Sequence, residues 1–484
     1  MGISLNPSTI LSGQGIDVNT LVSQIISEQS GQLAVWQGQQ TTLATQEGLL
    51  EGEENNLTSL QTAVAALADP AGALAAQAAT SSNSAVLTAT AQTTAVTATH
   101  QIVVNSLATT GTLYTNPIAA GADTSFLASG QTSGDVQLQV GGASGTTHNI
   151  AITQGSNDTL NTLASYINAQ STANGWGVTA SVVSDTSGSR LALFSQSSGS
   201  AGALSIVNNS NTTLNFETPV GGTNASLTID GVPFSSSSNI VTGAIQGVTL
   251  NLLSQSPGNP VQLTVGPDTN QIATAVNNFV SAYNTVVSTI NSQYVVDPTG
   301  TIPAPPLESD ISLRSLQSSI LADAAYAIGG NSGLVNLASL GINMNDDGTL
   351  SVGSNAAGQT FADVLAANPT AVQSFFQNTA GTGFANNFNA DLTNLTDPTQ
   401  GPLNVDLAQE QAEGQDLTTT ITNFQTQLTT ETAALTSQYD SVNASLQSYP
   451  LLLQEITETL GTLGSGTSSS GALISSEPTL TSGL

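Results

Sequence analysis

The sequence predicts an α+β multidomain protein: long N- and C-terminal helices packed as a coiled-coil-like stalk, with a helical bundle and β-rich domains inserted between them. Three observations predict it. Apolar residues recur every seven positions after Gly31. They recur at largely alternating four and three spacing from Leu417 to Leu460. Between those stretches the period falls to two.

At the start, Asp17 or Asn19 can cap a short helix carrying Leu21, Val22, Ile25 and Ile26 on one side. After Gly31, Trp36, Leu43, Leu50, Leu57 and Val64 form one stripe of a second helix. Leu60 and Leu67 fill the other core position only toward its end, and Gln39, Gln46 and Glu53 occupy it earlier. One apolar stripe beside one polar stripe makes a weak dimer but a good partner for another helix. Asp69 and Pro70 stop it.

The matching helix lies at the other end of the chain. Leu417, Ile421, Phe424, Leu428, Leu435, Val442, Leu446, Tyr449, Leu453, Ile456 and Leu460 make its seam, with Glu431 and Gln438 at the missed positions. About six heptads predict a packed helix of order 60 Å. Pro450 is expected to kink or divide it. The tail "GTLGSGTSSSGALISSEPTLTSGL" is of low complexity and reads as loose until bound. Periodicity alone does not name the partner, so an ordinary domain core stays open as the alternative for both stripes.

Between the terminal helices, "VLTATAQTTAVTATHQIVVNSLAT", residues 86 to 109, alternates as strands do. Residues 133 to 153 and 178 to 194 repeat the pattern around a helical "DTLNTLASYINAQ". "ASLTIDGVPFSSSSNIVTGAIQGVTLNLLS", residues 225 to 254, reads as a hairpin with its turn at Asp230 and Gly231 and "GVTLNLL" as the return strand. Residues 261 to 266 add a strand. From Ile272 to Ile290 the helical period returns, residues 307 to 325 form another helix, and 361 to 376 form two short ones divided near Pro369. The expected division is therefore 1–35 and 450–484 as leg segments, 36–80 and 266–449 as the two parts of a helical stalk, and 81–265 as a β-rich insertion of two domains.

Composition excludes several function classes. Two Lys plus Arg stand against 32 Asp plus Glu in 484 residues, a formal charge of -30, so the chain has no cationic surface to offer nucleic acid or anionic lipid. Charged residues are only 7% of the total, and the remaining surface is Ser, Thr, Asn, Gln and Gly. The chain has no cysteine, hence no disulfide or thiol chemistry. The N-terminus lacks the basic and apolar regions of a secretory signal, and no apolar run is long enough to span a membrane, so no membrane span is expected. His100 and His148 have no second ligand at metal spacing. The run Asn343, Asn345, Asp347 with Gly348 resembles half of a calcium loop but lacks the closing glutamate, Ser354 standing there instead. No cofactor is expected. Arg314, one of the two basic residues, is expected to hold an acidic or carbonyl partner within the fold or at a subunit contact, the plainer reading being a survivor with no role.

Several stretches together resemble the bacterial flagellar filament-capping family, also called hook-associated protein 2. The opening "SGQGIDVNTLVSQIISEQSGQLAVWQGQQTTLATQ" is similar to that family's N-terminal region, with Gly15, Ile16 and Asp17 leading into the first helix. The segment from Gly231 through Asn239 and then Gly247 to Leu250 resembles its middle. "VGPDTNQIATAVNNFVSAYNTVVSTINSQ", "LESDISLRSLQSSI" and "LASLGINMNDDGTLSV" follow in the family's order.

The resemblance implies a non-enzymatic cap at the distal filament tip, exported through the flagellar secretion channel with the help of a dedicated chaperone. It implies a plate of several subunits, commonly five, leg-like terminal helices directed into the filament, and flagellin and hook–filament junction proteins as partners. Family N-terminal helices usually carry many Lys, Arg and Glu where this one has Gln, Thr and Ser, so amide and hydroxyl contacts are expected in place of salt bridges. A surface without lysine also approaches neutrality in acid instead of becoming strongly cationic. The competing class is a secreted adhesin whose β domains bind glycans on a helical stalk. A polysaccharide-active enzyme would need two acids held across a cleft, and nothing in the sequence places them.

Overall fold

The computed structural model describes residues 17–464 apart from 296, 300, 302 and 379. Gly15, Ile16 and the low-complexity tail lie outside the described residues. The elements run α1 (Val18–Gln29), α2 (Gly31–Ala68), β1 (Gln77–Ser81), β2 (Leu87–Ala91), β3 (Ala98–Ser106), β4 (Thr110–Tyr114), β5 (Ser133–Val140), β6 (Thr146–Thr153), α3 (Leu160–Asn174), β7 (Val178–Asp185), β8 (Gly188–Ser198) and β9 (Leu204–Ser210). They continue with β10 (Ala225–Ile229), β11 (Val232–Ser236), β12 (Ile240–Ile245), β13 (Val248–Leu252), β14 (Val261–Pro267), α4 (Thr269–Ser292), α5 (Ile311–Ala324), β15 (Ile342–Met344), β16 (Leu350–Val352), α6 (Phe361–Ala367), α7 (Pro369–Phe376), α8 (Phe384–Leu395) and α9 (Pro402–Gly464).

Two compact units result. One comprises the residues up to Thr58, Ser288–Ser319 and those from Thr393 onward, and is helical; the other comprises Ser59–Val287 and Ile320–Leu392, and holds the sheets. In sequence the second is inserted into the first.

The β region of the second unit has two separate cores. One lies between a five-stranded sheet in the order β1-β14-β3-β10-β11 and a three-stranded sheet β12-β13-β2. Period-two alternation explains it: Ile102 and Val104, Leu227 and Ile229, Val261, Leu263 and Val265 all face inward. The run from 86 to 109 thus serves both sheets, β2 in one and β3 in the other, with a break at Gln92–Thr97. The second core lies among β4-β8-β7, β6-β5-β9 and α3, where Leu160, Leu163 and Ile167 meet Val136, Leu138, Ile150 and Leu191. Thr159 caps α3 in a reciprocal box with Thr162, and Gly175 ends it at φ 65°.

The helical part of this unit is an aromatic cluster. Phe279 and Tyr283 of α4 meet Phe384 and Phe388 of α8, and in α7 Phe375 stacks on Phe384 while Phe376 meets it edge-on, with ring centroids 5.0–6.5 Å apart. The Tyr283 hydroxyl donates to the Gly348 carbonyl at 3.0 Å, and Gly348 (φ 82°) turns the β15–β16 hairpin.

Two sequence expectations need correction. Asp230 (φ 51°) and Gly231 (φ 83°) do form a two-residue turn, but the strand that returns from it is β11, paired Ile229 to Val232. "GVTLNLL" belongs to β13 and returns from β12 in the other sheet. The reason is local: a turn with both central residues left-handed closes its hairpin at once, leaving no room for an intervening segment. Alanine at Gly231 must take that left-handed backbone, so Gly231→Ala should lower stability by about 1 kcal/mol, read by urea unfolding.

The second correction concerns one half of the Pro450 expectation, the division of the helix. α9 is not divided there and remains one helix over 63 residues. Proline removes one donor, but the stretch around it is exposed, so water can satisfy the freed carbonyl of Leu446.

Candidate functional site: the paired terminal helices

No group of three or more His, Asp or Glu that could hold a metal occurs among the described residues, and no described helix is long and apolar enough to cross a membrane. The features that bear on function are surfaces, and the most developed is the pairing of α1 and α2 with α9.

Asp17 starts it. Its carboxylate accepts from the Thr20 backbone N–H at 3.1 Å and the Thr20 hydroxyl at 2.6 Å, which holds its pKa below the ordinary value. The helices then run antiparallel. Gln29 Nε2 donates to Glu431 Oε1 at 2.9 Å, Trp36 meets Phe424 edge-on with centroids 5.3 Å apart, and Gln40 Nε2 donates to Thr418 Oγ1 at 2.8 Å. From Gln29 to Trp36 seven residues forward are matched by seven back along α9, and from Trp36 to Gln40 four forward are matched by six back. These contacts use amides, a hydroxyl and rings, with one carboxylate and no cation.

A row along α9 that starts at the same Thr418 follows the same chemistry. Thr418, Thr422, Thr426 and Thr430 form an i, i+4 row in which each hydroxyl donates to the carbonyl four residues earlier, at 2.8–2.9 Å. The row is polar without being charged.

The predicted seam residues divide into three groups. Leu21, Val22, Leu50, Leu57, Val64, Ile421 and Leu428 are buried. Ile25, Trp36, Leu43, Leu417, Phe424, Leu435 and Leu446 are half-buried. Val442, Leu453, Ile456 and Leu460 are exposed, Leu453 at 62%. The register explains the exposure of the last three. Extended from the Gln29 and Trp36 contacts, it brings Val18 opposite about Val442, so Leu453, Ile456 and Leu460 lie beyond the end of α1. Val64 lies in the second unit.

Because Trp36 and Phe424 are the one aromatic pair in this seam among the described residues, their coupling can be isolated. A double-mutant cycle of Trp36→Ala and Phe424→Ala should give about 1 kcal/mol of coupling, measured by chemical unfolding.

Arg314 sits beside this pairing in the first unit. Its Nη2 donates to the Glu308 carbonyl at 2.9 Å, and its guanidinium lies 4.9 Å from the centre of the Tyr294 ring. Among the described residues its partners are thus a carbonyl and an aromatic face, with no carboxylate at ion-pair distance. A serial pattern cannot show this, because the carbonyl comes from the loop six residues earlier and the ring from the turn that follows α4. The chain's other arginine, Arg190, pairs with Asp185 at 3.4 Å.

Asp230 lines a cleft of about 480 Å³ with Val96, Ala98, Ile229, Val232 and Phe234. Asp230 accepts from the Gln101 N–H at 2.8 Å and pairs with His100 Nδ1 at 2.7 Å, which holds its carboxyl below the ordinary range. β11 is the free edge of its sheet. In a two-residue hairpin its second residue turns its nitrogen outward, and here that residue is Pro233, which has no N–H to offer an added strand.

Glu53 is the residue that the sequence reading passed over. It occupies a polar position of the α2 heptad, yet it is 1% exposed. An acid at a seam position was the available signal.

Comparisons with known proteins agree with this architecture. Residues 222–449 match the family model for the flagellar hook-associated protein 2 C-terminus, 14–111 the model for its N-terminus, and 135–197 the flagellin hook IN motif. The chain is 30% identical to the B-type flagellar hook-associated protein 2 of Pseudomonas aeruginosa, over 93% of this chain and 96% of that one. It is 34% identical to the polar flagellar hook-associated protein 2 of Vibrio parahaemolyticus over 27% of this chain and 20% of that one. In fold it is similar to the crystal structure of the flagellar cap protein of Escherichia coli, with a TM-score of 0.58 and 24% identity, covering 75% of this chain and 99% of that one.

Proposed function

This chain belongs to the flagellar hook-associated protein 2 family, and from that premise we propose that it caps the distal tip of the flagellar filament and helps exported flagellin to fold and polymerise there. The observation that carries this reading is a match running nearly end to end over both the helical and the β-bearing parts of the chain. The role is structural and extracellular, not enzymatic. Its partners are further copies of itself, flagellin and the proteins of the hook–filament junction. A plate of five subunits and a dedicated export chaperone complete the proposal.

In this reading the paired terminal helices are the leg and the two β cores belong to the plate. A tip complex must hold together while subunits are added beneath it. Contacts built from amides, hydroxyls and rings suit that task in any ionic strength, because they are not screened as surface ion pairs are.

The test is a deletion strain complemented with this gene. Deletion should leave hooks without filaments and release flagellin monomer into the medium, and complementation should restore filaments. Filaments of normal length with lost surface attachment would overturn the proposal in favour of an adhesin.

A further inference from the structure

We propose that the helical unit carries an acid lock: Glu53 and Glu410 are held in it as neutral carboxyls, so the terminal helices pair most firmly in acid and loosen as the surroundings approach neutrality.

The first support is the absence of a counterion. The chain contains two basic side chains in all, both arginine. Arg190 is in the other unit with Asp185, and Arg314 is occupied by the Glu308 carbonyl and the Tyr294 ring. Both histidines lie in the other unit as well. His100 pairs with Asp230 and His148 stacks on Trp176, so each basic side chain of the chain has a partner other than Glu53 or Glu410.

The second support is geometric. Glu53 is 1% exposed; its Oε2 accepts from Asn56 Nδ2 at 3.0 Å, while its Oε1 is buried without a hydrogen-bond partner. Ionising such a group without a second charge or donor is costly. Glu410 of α9 is half-buried, and its Oε2 too is buried without a partner. The groups acting on it are all acids: Asp310 just before α5, Asp406 and Glu413 on its own helix, and Glu47 on α2. An added negative charge at Glu410 therefore repels the helix that α9 packs against.

Both groups titrate accordingly. Burial raises Glu53 to about 7, the Asn56 hydrogen bond offsetting part of the effect. Burial first and the four neighbouring acids second raise Glu410 to about 7. An ordinary glutamate in the unfolded chain titrates near 4.5. Below that value both states are protonated and nothing is lost. Between it and about 7 the unfolded chain ionises while the folded one does not, so stability falls as pH rises, and above about 7 the loss is complete. Asp17, Asp363 and Asp397 act in the opposite sense, since their lowered values favour the fold only above the ordinary 3.8. The most stable condition lies between the two, in mild acid.

The biological consequence rests on the proposed function. A chain that must travel unfolded from a near-neutral cytoplasm would pair its terminal helices weakly before export and firmly in an acidic medium. The lock itself is a property of the purified chain, so its failure and that of the cap reading are separable.

The experiment is unfolding of the full chain carrying Trp176→Phe, which leaves Trp36 as the sole indole and a reporter of this seam. Between about pH 4.5 and pH 7.5 the unfolding constant should rise on the order of a hundredfold for Glu53 alone. Glu53→Gln and Glu410→Gln, which imitate the neutral carboxyl, should each remove part of that slope, and the double variant most of it. The slope should persist in about 0.5 M salt, which screens general surface repulsion but not a buried group. Stability that is constant or rises with pH, a slope unchanged by both substitutions, a slope abolished by salt, or glutamine variants that fail to fold near pH 5 would each overturn the proposal.

Discussion

Phe384→Ala is expected to destabilise the β-bearing unit by about 3–5 kcal/mol, a large fraction of the stability of an ordinary domain. The side chain is fully buried, and its ring touches those of Phe279, Phe375, Phe376 and Phe388. No other ring in the cluster has so many ring partners, so truncation removes the transfer energy of the phenyl group and leaves a cavity that four rigid neighbours cannot collapse into. Chemical unfolding followed by near-ultraviolet circular dichroism measures it. A loss under about 1 kcal/mol would mean that the cluster is not the core of this unit's helical part.

The second large effect belongs to the paired terminal helices, the proposed leg. Leu428→Asp places a carboxylate at a position that is 7% exposed in the seam of α9, and it should cost about 3 kcal/mol at neutral pH and less in acid, where the new group is protonated. Loss of the leg should leave the cell without filaments. Leu453→Asp is the companion variant. Leu453 is 62% exposed, so the isolated chain should keep its stability within about 0.5 kcal/mol. If filaments are nevertheless lost in Leu453→Asp, the end of α9 acts through contacts made in the assembled tip; if they are kept, the leg's work is done upstream of it.

Much of this fold is legible in the sequence because its periods are clean. Ile102 and Val104 alternate with polar residues on β3, and the spacing from Ile272 through Tyr283 marks the inner face of α4. Asp230–Gly231 identifies a tight turn because few other pairs accept two left-handed residues in succession. What it does not reveal is which strand lies next to which. β2 and β3 read as one alternating run, yet they pair in different sheets, a choice made by long-range packing.

The paired terminal helices were legible as two stripes, and their relative register was not. Whether Trp36 meets Phe424 or a residue one turn away depends on where both helices begin and on the polar contacts between them, such as Gln29 with Glu431. Glu53 was misjudged for a similar reason. A serial reading places it on a polar stripe and leaves Arg314 with either an acidic or a carbonyl partner, whereas burial and the choice of partner are set by the packed structure.

The central claim is that this chain sits at the growing end of the filament, and immunogold electron microscopy of intact cells tests it most directly. A cap gives label confined to the distal tip of each filament. Label spread along the shaft, or on the cell surface away from filaments, would contradict it.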